Sequence, residues 1–97
     1  MIVLGNKICL RGFERLGQAE ILIVKKMIGS YVRQACDDAG CSYATITLER
    51  EETGFTVKVR AQLENDSEKT SEASGTNVFV TLDEAMKRLL ADILPQR

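Results

Sequence analysis

The chain contains no histidine. That removes the commonest general base, along with every thiol–imidazole or serine–histidine pairing. Three cysteines are present, Cys9, Cys36 and Cys41. Cys36 and Cys41 lie five positions apart, but structural zinc needs four ligands and Cys9 supplies only a third. They read as reduced thiols in or near the core, and no metal site is expected. Acid pairs occur at Asp37-Asp38, Glu51-Glu52 and Asp83-Glu84. They fall at a helix end, in a turn and in a first helical turn, where acids have ordinary structural roles. Gly5, Gly12 and Gly17 are too dispersed to form a phosphate-cradling loop of either standard spacing. No catalytic residue is assigned, no cofactor is expected, and the chain does not read as an enzyme.

The chemistry that remains is cationic. Lys26, Ser30 and Arg33 share one helix face, because positions i, i+4 and i+7 are neighbours, and Lys25 stands beside them. Lys87 and Arg88 stand on the polar side of a second helix. If the two helices lie side by side, Lys25, Lys26, Arg33, Lys87 and Arg88 could form one positive strip. Such a strip binds phosphates by charge and counterion release. The plainer reading is a solvated helix surface that keeps the protein soluble.

Two helices and a small sheet must position these residues. From about Gln18 to Asp37, Ile21, Val24, Ile28, Tyr31 and Ala35 recur at steps of three and four. Leu22, Val32 and Cys36 widen that stripe, so this is an amphipathic helix with a broad buried face. Gly40 is its expected stop. A second helix is expected from about Asn77 to Leu94, carried by Phe79, Leu82, Met86, Leu89 and Ile93 and ended by Pro95. Asn77 is the preferred N-cap, because the apolar stripe continues back through Phe79, over an alternative capping box of Thr81 with Glu84.

The strands show the other period. Tyr43–Arg50 and Phe55–Leu63 each alternate, and Glu51-Glu52-Thr53-Gly54 between them reads as a tight turn, so they form an antiparallel hairpin. Its wet face would carry Thr56, Lys58, Arg60 and Gln62. The first strand is Ile2–Leu4, Lys7–Arg11 or both around Gly5-Asn6, with Lys7–Arg11 favoured for its alternation. The polar stretch from Glu64 to Gly75 is either a loop or a charged edge strand over about Lys69–Ser74. The order is β-α-β-β-(β)-α. A strand-helix-strand start implies a parallel pair, and helices with single apolar stripes would cover one face of the sheet.

Bulk properties fit this outline. The chain has 97 residues, enough for about one domain and one core. Apolar residues make up 44%, which excludes a disordered tail. Aromatic residues are only 5% and Trp is absent, so Ile, Leu, Val and Ala must build the core. With 13 basic and 14 acidic residues the formal charge is −1, so a nucleic-acid surface would need charges segregated onto one face. DNA is not an expected partner. No secretion signal is evident, and the apolar run Ile21 to Val24 is too short to span a membrane, so a cytoplasmic protein is expected.

The pattern resembles the bacterial-type ribosome hibernation factors, also called sigma-54 modulation proteins. Their element order is β-α-β-β-β-α. Their last strand ends on small residues and Gly, followed by Asp-Met-Tyr-x-x-Ile-Asp and a Leu-rich helix. The matching stretch here runs from Ala73-Ser74-Gly75 through Asn77, Phe79, Leu82 and Asp83 to Lys87-Arg88-Leu89. Gly5-Asn6 and Lys26 are weaker matches. The resemblance implies an α+β fold with a small mixed four-stranded sheet and two helices on one face, similar to a double-stranded-RNA-binding domain. It implies binding to the small ribosomal subunit or structured RNA through Lys25, Lys26, Arg33, Lys87 and Arg88. The chain departs from the family at Ala91-Asp92 and Gly29-Ser30, which replace charged positions, and in a basic tail reduced to Arg97. These departures keep a rival open: a protein-interaction or self-associating domain of the same fold, including a homodimer.

Overall fold

A computed structural model describes residues 2–4, 8–39, 41–64 and 67–93. In chain order the elements are β1 (Ile2–Leu4), β2 (Ile8–Arg11), a single 3-10 turn (Phe13–Arg15), α1 (Gln18–Ala39), β3 (Cys41–Glu51), β4 (Gly54–Leu63), β5 (Glu68–Gly75) and α2 (Val78–Ile93). Several expectations fall outside the described residues. They are the bend at Gly5-Asn6, the helix stops at Gly40 and Pro95, the Arg97 tail, and the side chains of Ala35, Cys36, Asp37, Asp38 and Cys41.

The sheet order is β1-β2-β3-β4-β5. β2 and β3 are parallel, as a strand-helix-strand crossover requires. β3 and β4 form the expected antiparallel hairpin, with Glu51 paired to Gly54 across the two turn residues Glu52 and Thr53. The polar stretch is an edge strand: β5 pairs along β4 from Gln62↔Glu68 to Phe55↔Gly75. These four strands are the mixed sheet read from the sequence. β1 adds a short fifth, antiparallel to β2 with Val3 opposite Cys9, so both candidate halves of the first strand form.

Alternation along the strands separates the two faces. Ile8, Leu10, Ala44, Ile46, Leu48, Val57, Val59, Ala61 and Ala73 are buried in one core cluster. Phe13 of the 3-10 turn, Val24, Ile28 and Val32 of α1 and Val78, Leu82, Ala85, Met86, Leu89 and Leu90 of α2 complete it, so both helices cover the same face. Burying each Leu, Ile or Val in full contributes about 1.5–3 kcal/mol relative to exposure. The sequence stripes were too wide at one point: Leu22, read as part of the buried face, is 61% exposed, and Ile23 and Val80 are also exposed. Leu22 lies six residues before Ile28, which is roughly 120° around the helix from that buried centre.

Gly12 connects the sheet to α1. Its φ is +82°, a left-handed backbone that glycine adopts at little cost, and an added Cβ would lie 2.2 Å from the Leu48 carbonyl oxygen. Gly54 serves a different purpose. An added Cβ there would lie 2.3 Å from the Gly75 carbonyl oxygen, so it permits the close approach of the hairpin end to the end of β5.

Candidate functional site

β2, β3 and β5 point the same way, since β3 is parallel to β2 and twice reversed relative to β5. Their C-terminal ends therefore share one end of the sheet, and both helices begin there. Asn77 caps α2: its side-chain oxygen accepts from the backbone N–H of Phe79 at 2.9 Å and of Val80 at 3.1 Å. The alternative capping box does not form. Thr81 Oγ1 donates to the Asn77 carbonyl at 2.7 Å, and Glu84 binds Arg88 instead.

The helices are joined by a polar clasp. The Tyr31 hydroxyl of α1 donates to Asp83 Oδ1 of α2, and Lys87 Nζ lies 2.9 Å from Asp83 Oδ2. Partial burial first, and then the Asp83 carboxylate, push the Tyr31 phenol up to about 12. The hydrogen bonds from Tyr31 and Lys87 hold the Asp83 carboxyl below its usual value. Tyr31 had looked like a member of the apolar stripe, and Asp83 like a helix-start acid. The available signal was a hydroxyl-bearing residue at the margin of one stripe and an acid at the margin of the other.

The clasp fixes which way each helix faces. At roughly 100° per residue, Lys26 and Arg33 lie about 140° and 160° from Tyr31, on the flank of α1 turned away from α2. Both are exposed, and Lys25 beside them is half-buried. Lys87 lies on the α1 side of α2, one turn beyond Asp83. Arg88 lies on the opposite flank, over β5. There Nη1 donates to the Glu72 carbonyl at 2.8 Å, and Nη2 lies 2.6 Å from Glu84 Oε1. The five candidate cations thus occupy three places: the outer flank of α1, the space between the helices, and the β5 edge.

The other sheet face is polar and balanced. A concavity of about 460 Å³ there is lined by Arg11, Thr45, Thr47, Lys58, Arg60 and Glu72, among others. Lys58 pairs with Glu49 at 3.2 Å and Arg60 with Glu68 at 3.3 Å. Thr56, expected on this wet face, is only 2% exposed. Its hydroxyl bonds Glu51 and lies 3.0 Å from the Ser74 hydroxyl, so neighbouring side chains cover it. A second groove, about 640 Å³, lies beside the 3-10 turn. Its lining includes Arg15, Leu16, Leu48 and Phe55, with Arg50 5.7 Å from the Phe55 ring centroid. Cys9 is a buried free thiol. Among the described residues no group of three or more His, Cys, Asp or Glu side chains could hold a metal ion. None of the described helices is long and apolar enough to cross a membrane.

Two helices on one face of a mixed sheet, in the order β-α-β-β-β-α after a short lead strand, define a known α+β fold. It is shared by solved structures, two of which show the extent of the likeness. One is a ribosomal subunit interface protein from Coxiella burnetii, with a TM-score of 0.72 and 15% identity over 90% of this chain and 92% of that one. The other is the N-terminal domain of Protein Y from Thermus thermophilus, with a TM-score of 0.68 and 10% identity over 89% of this chain and 91% of that one. At these identities the likeness is one of fold. No protein-family model matches the chain. No curated protein matches it in sequence.

Proposed function

We propose that the protein is a non-enzymatic, cytoplasmic domain that associates with the small ribosomal subunit and contacts rRNA phosphates through exposed cations of its helix layer. The observation that carries this reading is the fold shared over nine-tenths of the chain with a ribosomal subunit interface protein. The sequence resemblance to hibernation factors points the same way. The candidate contacts are Lys25, Lys26, Arg33, Lys87 and Arg88. None of the last four is buried, and Lys25 is half-exposed, so ammonium and guanidinium groups are available at the surface. Phosphate recognition needs only such groups and a rigid support, with no cofactor and no bond-making chemistry.

A second reading has its own observation. Leu22, Ile23 and Val80 are exposed apolar side chains near the starts of the helices, which suits a protein partner or a second copy of this chain. Sucrose-gradient sedimentation with small ribosomal subunits at low and high salt separates the two. Ribosome association predicts co-sedimentation that weakens steeply with salt and is lost when all five cations become Gln. If the wild type never enters the subunit fraction, and light scattering shows a salt-resistant dimer, the protein-interaction reading replaces it.

A further inference from the structure

From the distribution of carboxylates around the helix cations, we infer that the outer flank of α1, with Lys26 and Arg33 at its centre and Lys25 beside them, is the phosphate-binding surface, and that the cations of α2 are neutralised in place. This rests on the ribosome-association reading and narrows it to one face. Every cation on the α2 side already has an acid in contact: Lys87 with Asp83 at 2.9 Å and Arg88 with Glu84 at 2.6 Å. Arg88 also commits a second N–H to the Glu72 carbonyl. The cations of β4 repeat the pattern, with Lys58 on Glu49 and Arg60 on Glu68, whereas Lys69 of β5 and Arg11 of β2 stand singly, without a neighbouring cation on their own strand. On α1 the pattern is reversed. Among the described residues no carboxylate contacts Lys25, Lys26 or Arg33. The helix's early acid, Glu20, is turned to its own start, where Oε1 accepts from the Gly17 N–H at 3.1 Å.

The difference matters because counterion release follows local net charge. A phosphate that reaches Lys87 or Arg88 also meets the partner carboxylate, which stays within a few ångströms even when the ion pair opens. Attraction and repulsion then nearly cancel, and few condensed counterions leave the RNA. At the outer flank of α1 the cations Lys25, Lys26 and Arg33 outnumber the one acid at that helical register, Asp37 four positions after Arg33, so the flank keeps a net positive charge. A chain with a formal charge of −1 can hold RNA only if its positive charge is segregated in this way. Tyr31 helps to keep the two sides apart, since its bond to Asp83 holds that carboxylate beside Lys87 and away from the α1 flank.

The test is a titration of small ribosomal subunits with labelled full-length chain at several salt concentrations, using three variants. Lys26→Gln with Arg33→Gln should remove about two units from the slope of log affinity against log salt. The wild-type advantage over this variant should then shrink about tenfold between about 50 mM and about 200 mM salt. Lys26→Arg with Arg33→Lys should retain binding, which separates charge from folding. Arg88→Gln with Glu84→Gln, which removes both members of one α2 ion pair and leaves the local charge unchanged, should change the slope by well under one unit. If the α2 pair weakens binding as much as the α1 pair, the inference fails while ribosome association stands. If the wild type does not bind the subunits at any salt, ribosome association itself fails.

Discussion

Tyr31 and Asp83 are the residues at which sequence pattern and structure differ most in meaning. A stripe of apolar positions places Tyr31 at the edge of a core, and the structure adds a bond from its hydroxyl to the Asp83 carboxylate. The folded-state phenol titrates at about 12, above its ordinary value of 10.0. A raised folded value means that the contact contributes fully below about 10 and is lost as pH climbs toward 12. Asp83 has the opposite sign. Its lowered folded value makes its contribution present above the usual carboxylate range and lost as pH falls through the folded value. An alkaline titration followed by tyrosinate absorbance should show a late phase that Tyr31→Phe removes. A late phase that persisted in that variant would exclude the clasp. Gly29 offers a simpler test. It sits mid-helix in α1 and nothing lies within 4 Å of an added Cβ. Gly29→Ala should therefore stabilise the fold by up to about 1 kcal/mol, read as a higher denaturant midpoint with an unchanged slope.

Elements were legible wherever a period ran uninterrupted. Both helices, the β3–β4 hairpin and the parallel crossover follow from steps of three and four, from alternation and from turn residues. The start of α2 was readable to the residue because an Asn side chain is short enough to satisfy the first free N–H groups of a helix. Asn77→Ala should cost about 1 kcal/mol, measured by chemical denaturation, whereas Glu84→Gln should leave the cap intact since Glu84 takes no part in it. β5 was not legible in the same way. Glu68–Gly75 carries a single buried apolar residue, Ala73, and so has no stripe to read. What makes it a strand is continuous pairing with β4. α2 lies against it, with Ser71 Oγ donating to the Ala85 carbonyl at 2.9 Å. β1 is similar: three residues are too few for a period, and they form a strand because β2 offers an edge.

At the scale of the whole molecule the question is where charge accumulates. Composition gives near balance, which argues against nonspecific coating of nucleic acid. The fold redistributes that balance. Acids on β3, β5 and α2 contact the cations on β4 and α2, while the outer flank of α1 keeps its cations unpaired among the described residues. Exposed ion pairs of this kind contribute little to stability, about 0–1 kcal/mol each. Their larger effect is on the surface potential seen by a partner. The loss of co-sedimentation expected when all five helix cations become Gln belongs to this scale, because it removes the charge of the α1 flank and leaves the acids of α2 unpaired.

The sequence by itself determined the element order, the α+β class, the two helices on one face, the cap at Asn77 and the identity of the candidate cations. All of these follow from short-range periodicity and from single-residue chemistry, which are written locally in the chain. Only the tertiary structure decided that β5 is a strand, that Thr56 is covered, that Leu22 is exposed, and that the five cations fall into three separate places. Those outcomes depend on which residues meet across the sheet and between the helices. A contact such as Tyr31 to Asp83 joins positions 52 residues apart, a separation over which no local pattern carries information.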